Sequence, residues 1–314
     1  MHPLIITNTK YLSMGKITEQ LNNIISTEEN TTKLYNIFRS INDLDLPIIR
    51  MKINEGASLL RQRVNIKDKE FSYKSELSYP PNIYVTNYGR ANIPYHTMFY
   101  CCSFPLDTQA PEPRIITLLE TSEFAKDKEK SGIERATISK WIVKKPINLL
   151  VLPFYNHYER ACKDIELIQN EWDKKINQTT MNPDAKELVE YMSLQISQKV
   201  SDNIEYFKIA NFVHYLLYIN EKTKSADGIM YPSVPAEGDG FNVVLKPESA
   251  DEKLEFSVAA LCYLAKNKDK SYLMVTNEST SISEEGTITY TQREFDEEEL
   301  KIYQSRAKGL NFIN

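Results

Sequence analysis

The order of apolar and polar positions divides the chain into a run of helical patterns, a run of strand patterns, a helical block and a second run of strands. Over residues 15–43, Ile17, Leu21, Ile24 and Ile25, then Leu34, Ile37, Phe38 and Ile41, recur at helical spacing. That pattern predicts one or two amphipathic helices interrupted by the polar stretch 26–32 and closed by Leu46-Pro47. Residues 48–53 and 58–64 read as strands, and on the second of them Arg61 and Arg63, two apart, face one side. A segment rich in Pro, Asn, Gly and Tyr, 79–94, predicts an ordered irregular loop. It leads to a strand over 98–103, a Pro-interrupted loop over 105–113 and a helix over 115–124. Strands follow at 138–144 and 149–152.

Residues 156–224 change character. Leu188, Met192, Ile196 and Val200 recur every four residues, and Phe207, Phe212, Leu216 and Ile219 continue a broad apolar face, which predicts three or four helices. Strand patterns return at 242–245, 256–264, 271–275 and 287–292. The expected fold is therefore α+β, a mixed twisted sheet with its helices segregated. Its divisions are an N-terminal helical extension (1–45), a first core part (46–155), a helical insertion (156–224) and a second core part with a C-terminal tail (225–314).

Composition narrows the chemistry. The chain has 314 residues and only 9 glycines, where average usage gives roughly 22. The densest cluster, Gly238-Asp239-Gly240, opens no helical run, so neither a Walker loop nor a dinucleotide fingerprint is present. With 38 Lys and Arg against 43 Asp and Glu, the net charge of −5 offers no basic field for nucleic acid or an anionic membrane. No apolar run reaches membrane-spanning length. The first residues lack the charged start and cleavage pattern of a signal peptide. The cysteines at 101, 102, 162 and 262 lack C-x-x-C spacing. A cytoplasmic protein with reduced thiols is expected, in which the formal glycosylation sequons at Asn30, Asn177 and Asn277 go unused.

The histidines at 2, 96, 157 and 214 have no metal-ligand spacing, and no G-x-S-x-G elbow occurs. No metal or bound cofactor is expected. Trp141 and Trp172 are assigned to packing. What remains is a polar constellation in loops and at strand ends: Arg61 and Arg63, Tyr79-Pro80-Pro81, Gly89-Arg90-Ala91-Asn92, Phe99-Tyr100, Glu120 and Tyr231-Pro232-Ser233.

In order and local context these blocks resemble the RES domain family. "LLRQR" resembles the family's early Arg-bearing strand, and "GRAN" with the Tyr of "MFY" ten residues later its G-R-x-N…Y block. "ITLLE" is similar to its T-A-L-x-E helix start, and "DGIMYPS" followed by "FNVVL" to its closing G-x-x-Y-P-S…N block. The likeness spans roughly 45–300, with 156–224 as an enlargement. One spacing departs from the family: Tyr100 to Glu120 is longer than usual, and Glu112 lies nearer. Glu120 is preferred because it ends an apolar helical turn.

The resemblance implies a fold related to ADP-ribosyltransferases and an activity that cleaves the nicotinamide–ribose bond of NAD with water or phosphate, in a bacterial toxin or defence effector. It also implies a helix-turn-helix antitoxin as partner. The 156–224 helices are expected to cover the pocket or to form a homo-oligomer interface. An alternative keeps the pocket and transfers ADP-ribose to a macromolecule, and a third reading is a non-enzymatic binding module. The residue inventory suits the first. Nicotinamide leaves neutral from an already cationic nitrogen, so the second carboxylate that glycosidases use as an acid is unnecessary. Glu120 would stabilise the oxocarbenium ion or orient the nucleophile. Arg61 and Arg90 would bind pyrophosphate, with Arg63 beside them. Tyr100 would stack on nicotinamide or ribose, with Tyr79 as a weaker candidate. Ser233 would bond the ribose or amide, Tyr231 would stand next to it, and Asn92 would shape the loop.

Overall fold

A computed structural model describes residues 15–41, 45–103, 113–152, 163–177, 181–236, 238 and 240–310. The two helical patterns at the start become α1 (Lys16–Asn22) and α2 (Glu28–Ser40). The break between them falls earlier than the polar stretch suggests, because the Thr27 hydroxyl accepts from Asn30 N at 3.2 Å and caps α2 from within it.

The strands are β1 (Ile49–Ile53), β2 (Ser58–Val64), β3 (Phe99–Ser103), β4 (Gly132–Val143), β5 (Ile147–Val151), β6 (Gly228–Pro232), β7 (Phe241–Leu245), β8 (Leu254–Lys266), β9 (Ser271–Ile282) and β10 (Ile288–Gln292). They form one ten-stranded sheet in the order β1-β5-β6-β7-β3-β2-β4-β8-β9-β10. Every described pairing is antiparallel except β5 with β6. The remaining helices are α3 (Pro113–Thr121), α4 (Glu123–Lys126), α5 (Lys163–Ile176), α6 (Pro183–Ser197), α7 (Phe207–His214), α8 (Pro247–Lys253) and α9 (Glu297–Gly309). The architecture is mixed α/β around one large mixed sheet, with nine helices among the described residues.

Both faces of the middle of the sheet are covered. Adjacent residues on a strand point to opposite faces. Leu59 belongs to the main core with Phe99 and Trp141, while Leu60 belongs to a small separate cluster with Ile138, Cys262 and Val275. That is why β2 shows no clean alternation of burial. β4, β8 and β9 run longer than their apolar patterns predict. Their outer ends carry polar residues such as Glu134, Arg135 and Asn277, but the ladders continue through bulges at Lys140/Trp141 and Leu261/Cys262.

β6 also lies outside the predicted set. All five of its residues are buried, so it has no alternation to read, and it begins with Gly and ends with Pro. Gly228 is required there: a Cβ would stand 2.1 Å from the Val244 carbonyl oxygen of the neighbouring strand.

The 156–224 block is helical where described, with α5, α6 and α7 continued by a π-helical turn over Tyr215–Ile219. The N-terminal helices pack on it. Thr18 N donates to Glu187 Oε1 at 2.7 Å and Tyr191 Oη to Asn22 Oδ1 at 3.0 Å, while Phe38 meets Phe212 and Tyr215 edge to face or tilted. Trp172 in this layer is fully buried, and Trp141 packs between Phe99 and Phe256, both in packing roles as expected.

Candidate active site

The site forms where two strands part. β2 and β3 pair only through Leu59 with Ser103 and Leu60 with Cys102. Beyond that point the gap is filled by the Arg61 side chain, whose Nη1 donates to the Tyr100 carbonyl at 2.6 Å and whose guanidinium lies 5.4 Å over the Phe99 ring. Among the described residues the buried Arg61 Nε has no hydrogen-bond partner. Burial, with Arg63 nearby, lowers the Arg61 guanidinium to about 10.

Beside the gap lies a cavity of about 320 Å³, lined among others by Arg61, Gln62, Arg90, Tyr100, Glu120, Tyr206, Tyr231 and Asn242. Glu120 reaches it from the last turn of α3, which packs against β2 and β3 and buries Ile116 and Leu118. The partners of Glu120 come from the β6–β7 hairpin, whose register sets Tyr231 opposite Asn242 and Pro232 opposite Phe241. Ser233, the next residue, donates through Oγ to Glu120 Oε1 at 2.6 Å, and Asn242 Nδ2 donates to the same oxygen at 2.7 Å. Among the described residues no hydrogen bond reaches Oε2. The carboxylate is thus fixed by one oxygen and presents the other. Cys102 Sγ donates to Asn242 Oδ1 at 3.3 Å, which sets the orientation of that amide.

The "GRAN" turn and Tyr100 form one unit. Tyr100 Oη donates to Asn92 Oδ1 at 2.7 Å and accepts from Ala91 N at 3.0 Å. A Cβ on Gly89 would stand 2.2 Å from Asn92 Oδ1 and 3.0 Å from the Tyr100 hydroxyl, so glycine is needed for the turn to close on that ring. Burial pushes the Tyr100 and Tyr231 phenols up, so both remain neutral. Arg90 fastens the turn to the helical block. Its Nη1 donates to the carbonyls of Ile196 and Gln198 at the end of α6, at 2.6 and 2.8 Å, and its guanidinium lies 4.9 Å over Tyr206. The insertion therefore supplies part of the cavity wall.

The structure brings together Arg61, Arg90, Tyr100, Glu120, Tyr231 and, behind Glu120, Ser233. Ser233 is fully buried and its proton is directed at Glu120, which makes it a positioning residue for the carboxylate. Asn92 accepts from Tyr100 Oη within the turn and does not line this cavity. Arg63 and Tyr79, both expected to bind substrate, do not line the cavity and are engaged elsewhere. Arg63 Nη1 donates to the Glu76 carbonyl and its guanidinium packs 4.8 Å over Phe71. Tyr79 Oη donates to Asp251 Oδ2 at 2.6 Å, and burial together with that carboxylate raises its phenol to about 12. Asn242, Gln62 and Tyr206 were not singled out from the sequence. Asn242 lies inside the "FNVVL" block, where the motif's Asn was the available signal. Gln62 sits between two arginines that draw attention from it, and Tyr206 had no signal.

Glu112, Cys162, His2 and His157 lie outside the described residues. Cys101, Cys102 and Cys262 are buried free thiols. Among the described residues no group of three or more His, Cys, Asp or Glu is placed to hold a metal. His96 and His214, remote in sequence, do meet, with ring centroids 4.7 Å apart and Tyr218 stacked on His214. No helix among the described residues is long and apolar enough to cross a membrane. No protein-family model matches the chain, and no curated protein matches it either.

Proposed function

We propose that this cavity cleaves the nicotinamide–ribose bond of NAD, passing ADP-ribose to water or phosphate, and that the fold is related to that of ADP-ribosyltransferases. The observation that carries the reading is Glu120, held through Oε1 by Ser233 and Asn242 with Oε2 free, in a cavity that also holds two guanidiniums. A carboxylate fixed by preformed donors needs no rearrangement as positive charge develops on the ribose, which is where electrostatic stabilisation is most effective. Oε2 would then face the oxocarbenium carbon or accept a proton from the incoming nucleophile. Arg61 Nε and Arg90 supply donors for the pyrophosphate, a task that a glycine-rich loop performs in other nucleotide sites. The Tyr100 ring offers a neutral face for nicotinamide or ribose.

The same reading makes the protein a bacterial toxin or defence effector acting in the cytoplasm and restrained by a helix-turn-helix antitoxin. Support for this part is the order of the four sequence blocks. Incubating purified protein with NAD, with and without phosphate, and following nicotinamide by chromatography tests the chemistry. Release of nicotinamide with free ADP-ribose or its phosphate is expected. A flat trace under both conditions overturns the enzymatic reading, and labelled macromolecule with little free product redirects it to ADP-ribosyl transfer.

A further inference from the structure

One wall of the Glu120 cavity carries a polar group to which the chemistry above gives no task. Gln62 lies on β2, is 3% exposed and lines the cavity. Its Oε1 faces the Thr117 hydroxyl at 3.4 Å, and its Nε2 is buried with no hydrogen-bond partner among the described residues. An unpaired buried donor costs about 1–3 kcal/mol. Turning the amide over does not remove the deficit. The Thr117 hydroxyl already donates to the Arg114 carbonyl at 2.8 Å, so a reversed amide would donate to Thr117 and leave its oxygen unpaired instead. In either orientation at least one hydrogen-bonding edge of Gln62 is left over. The terminal torsion of a glutamine is broad, so that edge can turn toward a ligand.

The ligand group that satisfies both orientations carries a donor and an acceptor on one carbon. A primary carboxamide does so, whereas a carboxylate has acceptors only. The placement fits. Thr117 and Glu120 are three residues apart on α3 and so lie on one face, with Cβ atoms about 5–6 Å apart. Gln62, which meets Thr117, therefore lies along the face of α3 that carries Glu120, and both line the cavity. Leu60 and the Cys102 thiol line the same cavity, and burial raises that thiol well above its usual range, leaving a neutral surface for a ring. On nicotinamide the glycosidic nitrogen and the carboxamide occupy meta positions of one ring, a span of the same order.

We propose that Gln62 determines leaving-group specificity: it reads the carboxamide of nicotinamide and makes the cavity select the amide dinucleotide over its deamidated, nicotinic acid counterpart. This rests on the NAD-cleavage reading. Glu120 would repel a carboxylate by itself, so selectivity alone is not diagnostic; its dependence on Gln62 is.

The test reads binding and turnover separately. Ligand-observed NMR titrations of nicotinamide, nicotinate and N,N-dimethylnicotinamide are run on the wild-type chain and on Gln62→Met, which keeps the unbranched stem. Wild type is expected to bind nicotinamide about tenfold more tightly than the dimethyl compound, which lacks the donors. Gln62→Met should lose about tenfold in nicotinamide affinity and leave nicotinate unchanged. In turnover, Gln62→Met should lower kcat/KM for NAD about tenfold without changing that for the deamidated dinucleotide. Equal binding of nicotinamide by wild type and Gln62→Met, or no binding by wild type, overturns the proposal. Should Gln62→Met fail to fold, the comparison of nicotinamide with its dimethyl form on wild type decides alone, and equal affinities overturn it. Failure of the parent reading looks different: nicotinamide binds with the stated selectivity, yet none is released from NAD.

Discussion

At its two ends β6 is flanked by carboxylates held in contrasting ways. Before the strand, Asp227 has both oxygens occupied: Oδ2 accepts from Asn148 N at 2.7 Å and Lys253 Nζ at 2.6 Å, and Oδ1 from Ser249 Oγ at 3.0 Å. The side chains of Asp227 and Lys253 are only 7% and 16% exposed. After the strand, Ser233 joins Asn242 on one oxygen of Glu120, a residue that lines the cavity, and among the described residues no hydrogen bond reaches the other oxygen. The first network is closed on itself and ties β6 to β5 and α8. The second is closed on one side only. A fully satisfied buried network rigidifies a fold, whereas a half-occupied carboxylate next to an unpaired Arg61 Nε and Gln62 amide is what a ligand would complete.

The sharpest way to break this comparison is to neutralise the open carboxylate. Glu120→Gln should lower nicotinamide release by about 10²–10⁴-fold while leaving the urea midpoint within error. Equal loss of stability would make Glu120 a second Asp227. The converse substitution, Asp227→Ala, strands the Lys253 ammonium and should destabilise the chain by about 3–5 kcal/mol in urea denaturation. Turnover per folded molecule should stay within about threefold. Ser233→Ala tests how the open network is held. It removes a hydrogen bond to a charged group, worth about 1.5–3 kcal/mol, and should reduce kcat by about tenfold or more with little change in KM. A change confined to KM would return Ser233 to the substrate.

The smallest effect concerns neither carboxylate. Burial, with His96 alongside, lowers His214 to about 4 from 6.5. Between those values the unfolded chain binds the proton and the folded chain does not, so stability falls as pH drops through that window. Facing the pair are Tyr218, stacked on His214, and Lys246, whose ammonium lies 5.8 Å over the Tyr218 ring. His214→Phe should flatten the slope by about 1 kcal/mol per pH unit, less than a full proton's worth because the ring is partly solvated. An unchanged slope would assign the acid response to the carboxylates.

Legibility in the sequence followed exposure. An element with one wet face, such as α2, announced itself by period. β6 did not, because burial on both faces erases alternation. α9 did not either, since its exposed and charged surface leaves no apolar stripe. At the site, residue types that stand out, Arg61, Arg90, Tyr100 and Glu120, were found from their order. The amides that complete it, Gln62 and Asn242, are chemically plain, and only their unpaired or shared hydrogen bonds reveal them. Arg63 and Tyr79 matched in sequence yet are claimed by Glu76 and Asp251, partners that only the tertiary fold brings near.

The single parallel pairing among the described strands, β5 with β6, has a consequence for the order in which the molecule is made. Parallel neighbours cannot be joined by a tight turn, and here the helical block between 152 and 227 is the crossover. Glu120 leaves the ribosome long before its supports, which follow 113 and 122 residues later. Until the crossover has folded and β6 has docked, the carboxylate has neither of its donors, and Arg90 lacks the α6 carbonyls that anchor it. Contacts of such sequence separation form slowly. The nascent chain therefore passes through most of its synthesis with this carboxylate unsupported, and the Glu120 network can close only with the last third of the sequence.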